Sequence, residues 1–223
     1  MEWAPYLLSF RVAGVATLIA LPLGVALAWL LSHRNLRGRH LLDAIVTAPM
    51  VLPPTVLGYY LLVSLGPNSA VGRFYHALTG SSIAFTITGA TVAAVVGALP
   101  LIIKGTRPAL EGVDPILPLA ARTLGASKWR AFLTITLPIA APGILSATML
   151  GFAKSLGDFG VTWMLVGSVP GRTETGAIYV YNQIAAGHDR RAEAMVIAMT
   201  ISAVLLMYGA NRLSMRGKQG LPP

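Results

Sequence analysis

Five apolar runs dominate the sequence, and each is long enough to cross a lipid bilayer as a helix. A transmembrane helix needs about 17–25 residues that are mostly apolar. The runs lie at residues 12–32, 44–65, 83–103, 131–153 and 194–210. Only 11% of the 223 residues are charged, whereas soluble domains contain about 25%. The sequence therefore predicts an all-α integral membrane protein with about five transmembrane helices, forming one domain over 1–223, because the connections are too short to bury a second core.

Basic residues predict how the chain is oriented in the membrane. Most of its 17 Lys and Arg residues fall in 33–41, in 104–130 and in the C-terminal tail. Cations accumulate on the cytoplasmic side of membrane proteins. We therefore expect the N-terminus outside and the C-terminus inside the cell. The net charge of +9 is explained by this topology, and we expect no nucleic-acid partner.

The residues that usually carry enzyme chemistry are sparse. The chain has no cysteine, and its four histidines are scattered, so no pair has the spacing of metal ligands. The sequence contains neither a G-x-x-x-x-G-K-[ST] loop for nucleotide phosphates nor an H-E-x-x-H motif. We expect no catalytic residue, no metal site and no cofactor in this chain.

A proline-rich break interrupts the second run. The stretch PMVLPP at 49–54 holds three prolines in six residues, which cannot all sit in one unbroken helix. Non-helical backbone at membrane depth is tolerated where protein covers it or water reaches it. The break is either a bent packing helix or a hinge beside a transport path.

Small residues recur at every fourth position in the fourth run, at Gly143, Ala147, Gly151 and Ser155. This spacing places four small side chains on one helix face, so that another helix can approach closely. We expect this face to serve packing, within the chain or against a second copy. Lining of a pore is the alternative.

Between the third and fourth runs, the residues predict a short helix flanked by two turns. Asp114 is a typical N-cap, and Pro115 suits the first helical position. The helix is expected over 115–124, with Gly125 ending it at positive φ. Ser127 can then cap the next helix. The helix has an apolar face of five residues: Ile116, Leu117, Ala120, Ala121 and Leu124. This face either lies on the lipid surface or docks in a groove of a partner.

The stretch AARTLGASKWRAFLTITLP resembles the loop motif of permease subunits of ATP-binding-cassette importers. That motif runs Glu-Ala-Ala, three residues, Gly, nine residues, Ile-x-Leu-Pro. The matching residues are Ala120, Ala121, Gly125, Ile135, Leu137 and Pro138, with Leu119 where the family has Glu. Further stretches, including PMVLPPTVLGYYLLVSLG and FAKSLGDFGVT, resemble the bacterial molybdate permeases and, less closely, the sulfate permeases.

The resemblance implies a type I importer permease in the bacterial cytoplasmic membrane that moves molybdate inward by alternating access. Two permease copies would pair as a homodimer, with two ATPase subunits beneath them and a soluble binding protein outside. ATP and Mg would be bound by the ATPase, so this chain is not expected to be an enzyme. The loop 108–130 would hold the cytoplasmic coupling helix. Its ATPase-coupling residues would be Asp114, Ile116, Leu117, Ala120, Ala121, Arg122, Leu124, Gly125 and Ser127.

A dianion needs dipoles and a few cations along its path, because a bare charge in hydrocarbon is very costly. We expect weak contacts here and selectivity mainly in the binding protein, with Lys154 and Arg172 attracting the anion near the outer face. The candidate path residues are Pro53, Pro54, Thr55, Ser146, Thr148, Gly151, Lys154 and Asp158. Sulfate, thiosulfate or tungstate are alternative cargoes. An ATP-independent channel or a membrane enzyme is the more distant alternative.

Overall fold

Helices built from the apolar runs make up the molecule in a computed structural model that describes residues 3–33 and 37–219. In chain order they are α1 (Ala4–Ser32), α2 (Arg39–Val51), α3 (Pro54–Leu65), α4 (Ala70–Thr79), α5 (Ile87–Glu111), α6 (Ile116–Thr123), α7 (Lys128–Ala131), a π-helical turn (Phe132–Thr136), α8 (Leu137–Leu156), α9 (Gly160–Val166), α10 (Gly176–Ala185) and α11 (Asp189–Gln219). No strand is formed by the described residues. The predicted all-α class is confirmed.

Four helical stretches are long and apolar enough to cross a membrane: α1, α5, α7 continued through α8, and α11. The second run differs from the prediction of a straight span over 44–65. It forms α2 and α3, whose axes are bent by 113°, so a fifth crossing exists only if this pair counts as one. The break falls at the prolines, as predicted. Pro54 opens α3, where its missing N–H costs nothing.

The helices also extend beyond the predicted spans, because hydropathy marks only their apolar parts. α1 begins at Ala4 with a proline in its first turn, and α11 begins at Asp189, whose charge favours a helix N-terminus. α5 starts four residues later than the predicted 83. Thr86 holds the preceding turn by donating its hydroxyl to the carbonyl of Ile83 at 2.8 Å.

Small residues bring α1, α5 and α8 close together. A Cβ on Gly105 would lie 2.5 Å from the Cβ of Ala147, and one on Gly143 would lie 2.5 Å from the Cβ of Ala109. Real Cβ atoms do not approach this closely, so α5 and α8 touch almost backbone to backbone at these positions. The small face of α8 therefore packs against α5 within the chain, which confirms the packing interpretation.

A short helix that does not span the membrane follows α8. α9 covers Gly160–Val166. It packs against α3, because a Cβ on Gly58 would lie 2.6 Å from the Cβ of Met164. This contact holds α3 away from the line of α2.

Candidate functional site

The predicted corner between α5 and α8 is formed by α6 and its two flanking turns. The Asp114 carboxylate accepts the backbone N–H of Ile116 at 2.8 Å. Gly125 has φ +92°, and the Ser127 hydroxyl accepts the N–H of Arg130 at 3.2 Å. The predicted turn glycine and the cap at Ser127 are confirmed, whereas Asp114 accepts its N–H from one position before the N-cap, which is Pro115. The helix is one residue shorter at each end than the predicted 115–124, since Pro115 and Leu124 occupy its flanking positions.

The apolar side chains of α6 are unusually exposed. Ile116 is 67% exposed, Leu119 53% and Leu124 89%. Leu117 and Ala120 are also exposed, as is Arg122, while Ala121 is half-buried. A clustered apolar surface of this kind marks an interaction site. In the sequence, Leu119 is the residue that departs from the permease loop motif. Its spacing of three residues from Ile116 also places it on the same side of the helix.

The chain leaves this corner through a π-helical turn. The N–H of Leu137 bonds the carbonyl of Phe132, five residues back. Pro138 explains the widening, because a proline has no N–H and its ring clashes with the carbonyl four residues earlier. The Thr134 hydroxyl donates to the carbonyl of Arg130 at 2.7 Å. Such turns interrupt helices most often at functional sites.

Trp29, near the end of α1, contacts three side chains from α7 and the start of the π-helical turn. We call these four residues the Trp29 cluster. The rings of Trp29 and Trp129 stack with centroids 5.0 Å apart and planes at 30°. Phe132 lies 5.4 Å from Trp29, and the Lys128 ammonium lies 5.4 Å from the Trp29 ring centroid. The cluster thus joins α7 to α1, a contact that the sequence analysis did not identify.

Charged residues join α2 to α5 at the same end of the molecule. Asp43 pairs with Lys104 at 3.0 Å and with Arg107 at 3.8 Å. Glu111 pairs with Arg107 at 2.8 Å and with Arg39 at 3.5 Å. These ion pairs hold the start of α2 against the C-terminal part of α5. Residues 34–36 of the basic 33–41 loop lie outside the described residues.

Five of the candidate path residues lie around the start of α9. Pro53, Pro54 and Thr55 are exposed at the bend between α2 and α3, and a Cβ on Gly160 would lie 2.7 Å from the Cβ of Pro54. Asp158, two residues before Gly160, is 4% exposed. These residues form one region between α3 and the end of α8.

Asp158 is fully engaged by its neighbours. Its carboxylate pairs with Lys154 at 2.9 Å and accepts both the N–H and the hydroxyl of Thr162, at 3.1 Å and 2.8 Å. It therefore caps α9. The Lys154 side chain is 44% exposed, so its ammonium is held by Asp158 but remains open to an approaching anion.

The other candidate path residues are not brought into this region. Gly151 is buried against Ile102, whose Cγ1 would lie 2.7 Å from an added Cβ. It belongs to the contact between α5 and α8 and faces no open path. The Thr148 hydroxyl donates to the carbonyl of Ile144 within its own helix, and Ser146 is half-buried. Arg172 is exposed in the connection between α9 and α10.

No group of three or more His, Asp or Glu side chains that could hold a metal ion occurs within residues 3–33 and 37–219. The candidate site therefore consists of helix ends, apolar side chains and the charged residues given above.

Comparison with known proteins matches residues 20–214 to the family model of the binding-protein-dependent transport system inner membrane component. The chain is 44% identical over 208 residues to the molybdenum transport system permease protein ModB of Escherichia coli strain K12, covering 92% of this chain and 91% of that protein. It is 40% identical to ModB of Haemophilus influenzae, covering 93% and 91%. The sulfate transport system permease protein CysT of Escherichia coli strain K12 is 29% identical, covering 96% and 76%.

Two solved structures are similar over nearly the whole chain. One is a bacterial ABC transporter involved in the import of the acidic polysaccharide alginate, with a TM-score of 0.76, 18% identity, and coverage of 97% of this chain and 80% of that chain. The other is the MetNI methionine ABC transporter in an inward-facing conformation, with a TM-score of 0.69, 20% identity, and coverage of 96% and 93%. At these identities the likeness shows a shared fold, so the predicted importer-permease fold is confirmed.

Proposed function

Because this chain belongs to the family of binding-protein-dependent transport system inner membrane components, we propose that it is the permease subunit of an ATP-driven importer of molybdate in the bacterial cytoplasmic membrane. The chain is a multi-pass membrane protein and a transport subunit, not an enzyme. Molybdate is favoured because two relatives at 44% and 40% identity are named molybdenum permeases, whereas the sulfate permease is 29% identical.

The exposed apolar side of α6 is the observation that carries the mechanism. The helix α6 lies between two turns of defined geometry, and the side chain of Leu124 at its end is 89% exposed. We assign α6 as the coupling helix, seated in a groove of a partner ATPase. The coupling residues are then the nine expected from the sequence, which lie between Asp114 and Ser127, together with Leu119. Closure of the ATPase on ATP and Mg would displace α6 and switch the permease from inward-open to outward-open.

A second copy of the chain completes the transporter in this proposal. Two permease copies pair around a path, two ATPase subunits bind at the α6 end, and a soluble binding protein delivers the anion at the other end. The N-terminus then lies outside the cell and the C-terminus inside. Each chain acts as one permease domain embedded in the lipid bilayer.

The path would run past the region around the start of α9, where Pro53, Pro54, Thr55 and Lys154 are exposed. Lys154 attracts the dianion, and its pairing with Asp158 keeps the attraction weak enough for release. Ser146 and Thr148 remain candidate residues of the path between the two copies. Gly151 is left out of this path because it is buried against Ile102.

Two valine variants with the same local strain test the coupling assignment. Gly125 has φ +92° and Gly38 has φ +79°, and an added Cβ meets nothing within 4 Å at either glycine. Valine disfavours positive φ at both places. In proteoliposomes that contain the whole complex, Gly125→Val should hydrolyse ATP while losing uptake, whereas Gly38→Val should transport normally. Equal uptake by the two variants at equal expression would refute the coupling assignment.

Sulfate, thiosulfate and tungstate are the alternative cargoes, and competition for uptake separates them. Tungstate is the hardest to distinguish, because it matches molybdate closely in size and charge. A channel or membrane enzyme that works without ATP predicts full activity in the absence of the ATPase subunits. That outcome would overturn the whole proposal.

A further inference from the structure

We propose that the stack of Trp29 on Trp129 transmits the displacement of α6 to α1, so that α1 moves together with the coupling helix. This inference rests on the proposed coupling function of α6. It assigns positioning roles to Trp29, Lys128 and Trp129, three residues outside the coupling helix and outside the transport path.

The covalent connections of α6 are poorly suited to transmit a displacement alone. On one side α6 continues from α5 through the turn at Gly112 and Val113, and on the other it reaches α7 through Gly125. α7 has only four residues and is followed by the π-helical turn, an irregularity at which helices kink. A push on α6 would be partly absorbed in this turn before it reached α8.

The Trp29 cluster bypasses the π-helical turn. Trp129 stacks on Trp29 with ring centroids 5.0 Å apart, and Lys128 approaches the same indole to 5.4 Å. Both residues precede the π-helical turn in the chain, and Phe132, which begins it, contacts the same ring. Three side chains spread over more than one helical turn therefore fix the orientation of α7 relative to α1.

The end of α1 that carries Trp29 is anchored in the protein core. Leu31, two residues after Trp29, is fully buried, and it belongs to the same core cluster as Ile103 and Phe132. Further along α1, a Cβ on Gly24 would lie 2.6 Å from Ile102 of α5. Because α1 is held this closely against α5, a shift of its end at Trp29 moves the packed helices rather than one side chain.

Removal of the stack should lower the number of anions carried per ATP hydrolysed. An aromatic pair is worth up to about tenfold in an equilibrium constant, and Trp129→Ala removes this pair while it leaves the contact of Lys128 with Trp29 in place. We expect Trp129→Ala to keep its ATPase activity and to transport about tenfold fewer anions per ATP, with Trp129→Phe close to the unsubstituted protein because it preserves a stacked ring.

Trp3→Ala is the matched control, since Trp3 is also an exposed tryptophan, 53% exposed, and lies directly before α1, where it contacts Tyr6 edge-on at the far end of that helix from Trp29. Its transport ratio should not change. An unchanged ratio in Trp129→Ala, or an equal fall in ATPase activity and uptake, would overturn the inference.

A cross-link provides a second test that does not depend on the size of a defect. The chain contains no cysteine, so a Trp29→Cys, Trp129→Cys double variant carries the only two thiols of each permease chain. In a complex whose partner subunits lack reactive thiols, the free dithiol should be uncoupled, and bridging the pair with a short bifunctional thiol reagent should restore transport. Failure of the bridge to restore coupling would contradict the inference.

Two variants distinguish an error in the proposed coupling function of α6 from an error in the role of the Trp29 cluster. If Gly125→Val transports like the unsubstituted complex, the proposed coupling function itself is wrong. If Gly125→Val is uncoupled while Trp129→Ala is fully coupled, α6 is the coupling helix and only the role of the Trp29 cluster is refuted.

Discussion

The close contact between α5 and α8 makes a quantitative prediction about Gly105. An alanine Cβ at this position would lie 2.5 Å from the Cβ and 3.3 Å from the Cα of Ala147, whereas carbon atoms pack at about 3.5–4.0 Å. Neither atom can rotate away, so the two helices must separate by about 1 Å. Overpacking of this kind costs about 1–3 kcal/mol.

Gly97 offers a control on the same helix, because a Cβ there meets nothing within 4 Å. Gly97→Ala gains helix propensity, worth up to about 1 kcal/mol, without a clash. We expect Gly105→Ala to be less stable than Gly97→Ala by about 2 kcal/mol, which corresponds to about 4–8 °C in Tm for a chain of this size. Thermal unfolding of the purified proteins in the same detergent measures the difference.

A compensating substitution tests the reason for the loss. The Gly105→Ala, Ala147→Gly double variant removes the clashing Cβ from α8. The close contact is then restored, with glycine on α8 and alanine on α5. Its Tm should return most of the way to that of the unsubstituted protein. If Gly105→Ala proves as stable as Gly97→Ala, or if the double variant is no better than the single one, the close helix contact described above is wrong.

Substitutions at three further residues test the corner and the path. Asp158→Ala removes the acceptor of the Thr162 N–H and should destabilise α9 by about 1–2 kcal/mol, seen as faster amide exchange there, while Asp158→Asn should cost less. Ser127→Ala should cost about 1 kcal/mol at the start of α7, measured as a lower Tm. Lys154→Met should slow uptake most at low ionic strength, because steering by an exposed charge is screened by salt; a salt-independent defect would count against its role in the path.

The corner around α6 could be predicted almost to the residue because its causes are local. A carboxylate at Asp114, a glycine at Gly125 and a hydroxyl at Ser127 each act on backbone groups two or three residues away. The rules for helix caps need no knowledge of the rest of the fold. The remaining error was one residue at each end of the helix.

The bend between α2 and α3 could be located but not measured from sequence. The prolines forbid a continuous helix, and the break falls among them. The angle of 113° depends instead on the docking of α3 on α9, through Gly58 and Met164. That contact joins segments distant in sequence, and the hydropathy of neither segment reveals it.

The Trp29 cluster lay beyond sequence reasoning for a similar reason. Tryptophans near the ends of apolar runs are usual at membrane interfaces, so neither Trp29 nor Trp129 stood out. Their pairing depends on how α1 and α7 meet. Pro138 was a usable signal for the π-helical turn, since a proline early in a helix disturbs the preceding turn.

Uptake of labelled molybdate by the reconstituted complex tests the central claim most directly. The complex would be incorporated in proteoliposomes with its ATPase and binding protein, and uptake measured with ATP, without ATP, and with excess unlabelled sulfate. We predict uptake that requires ATP and that sulfate does not suppress. Uptake abolished by modest sulfate would make the protein a sulfate permease, and uptake that proceeds equally without ATP would contradict the account.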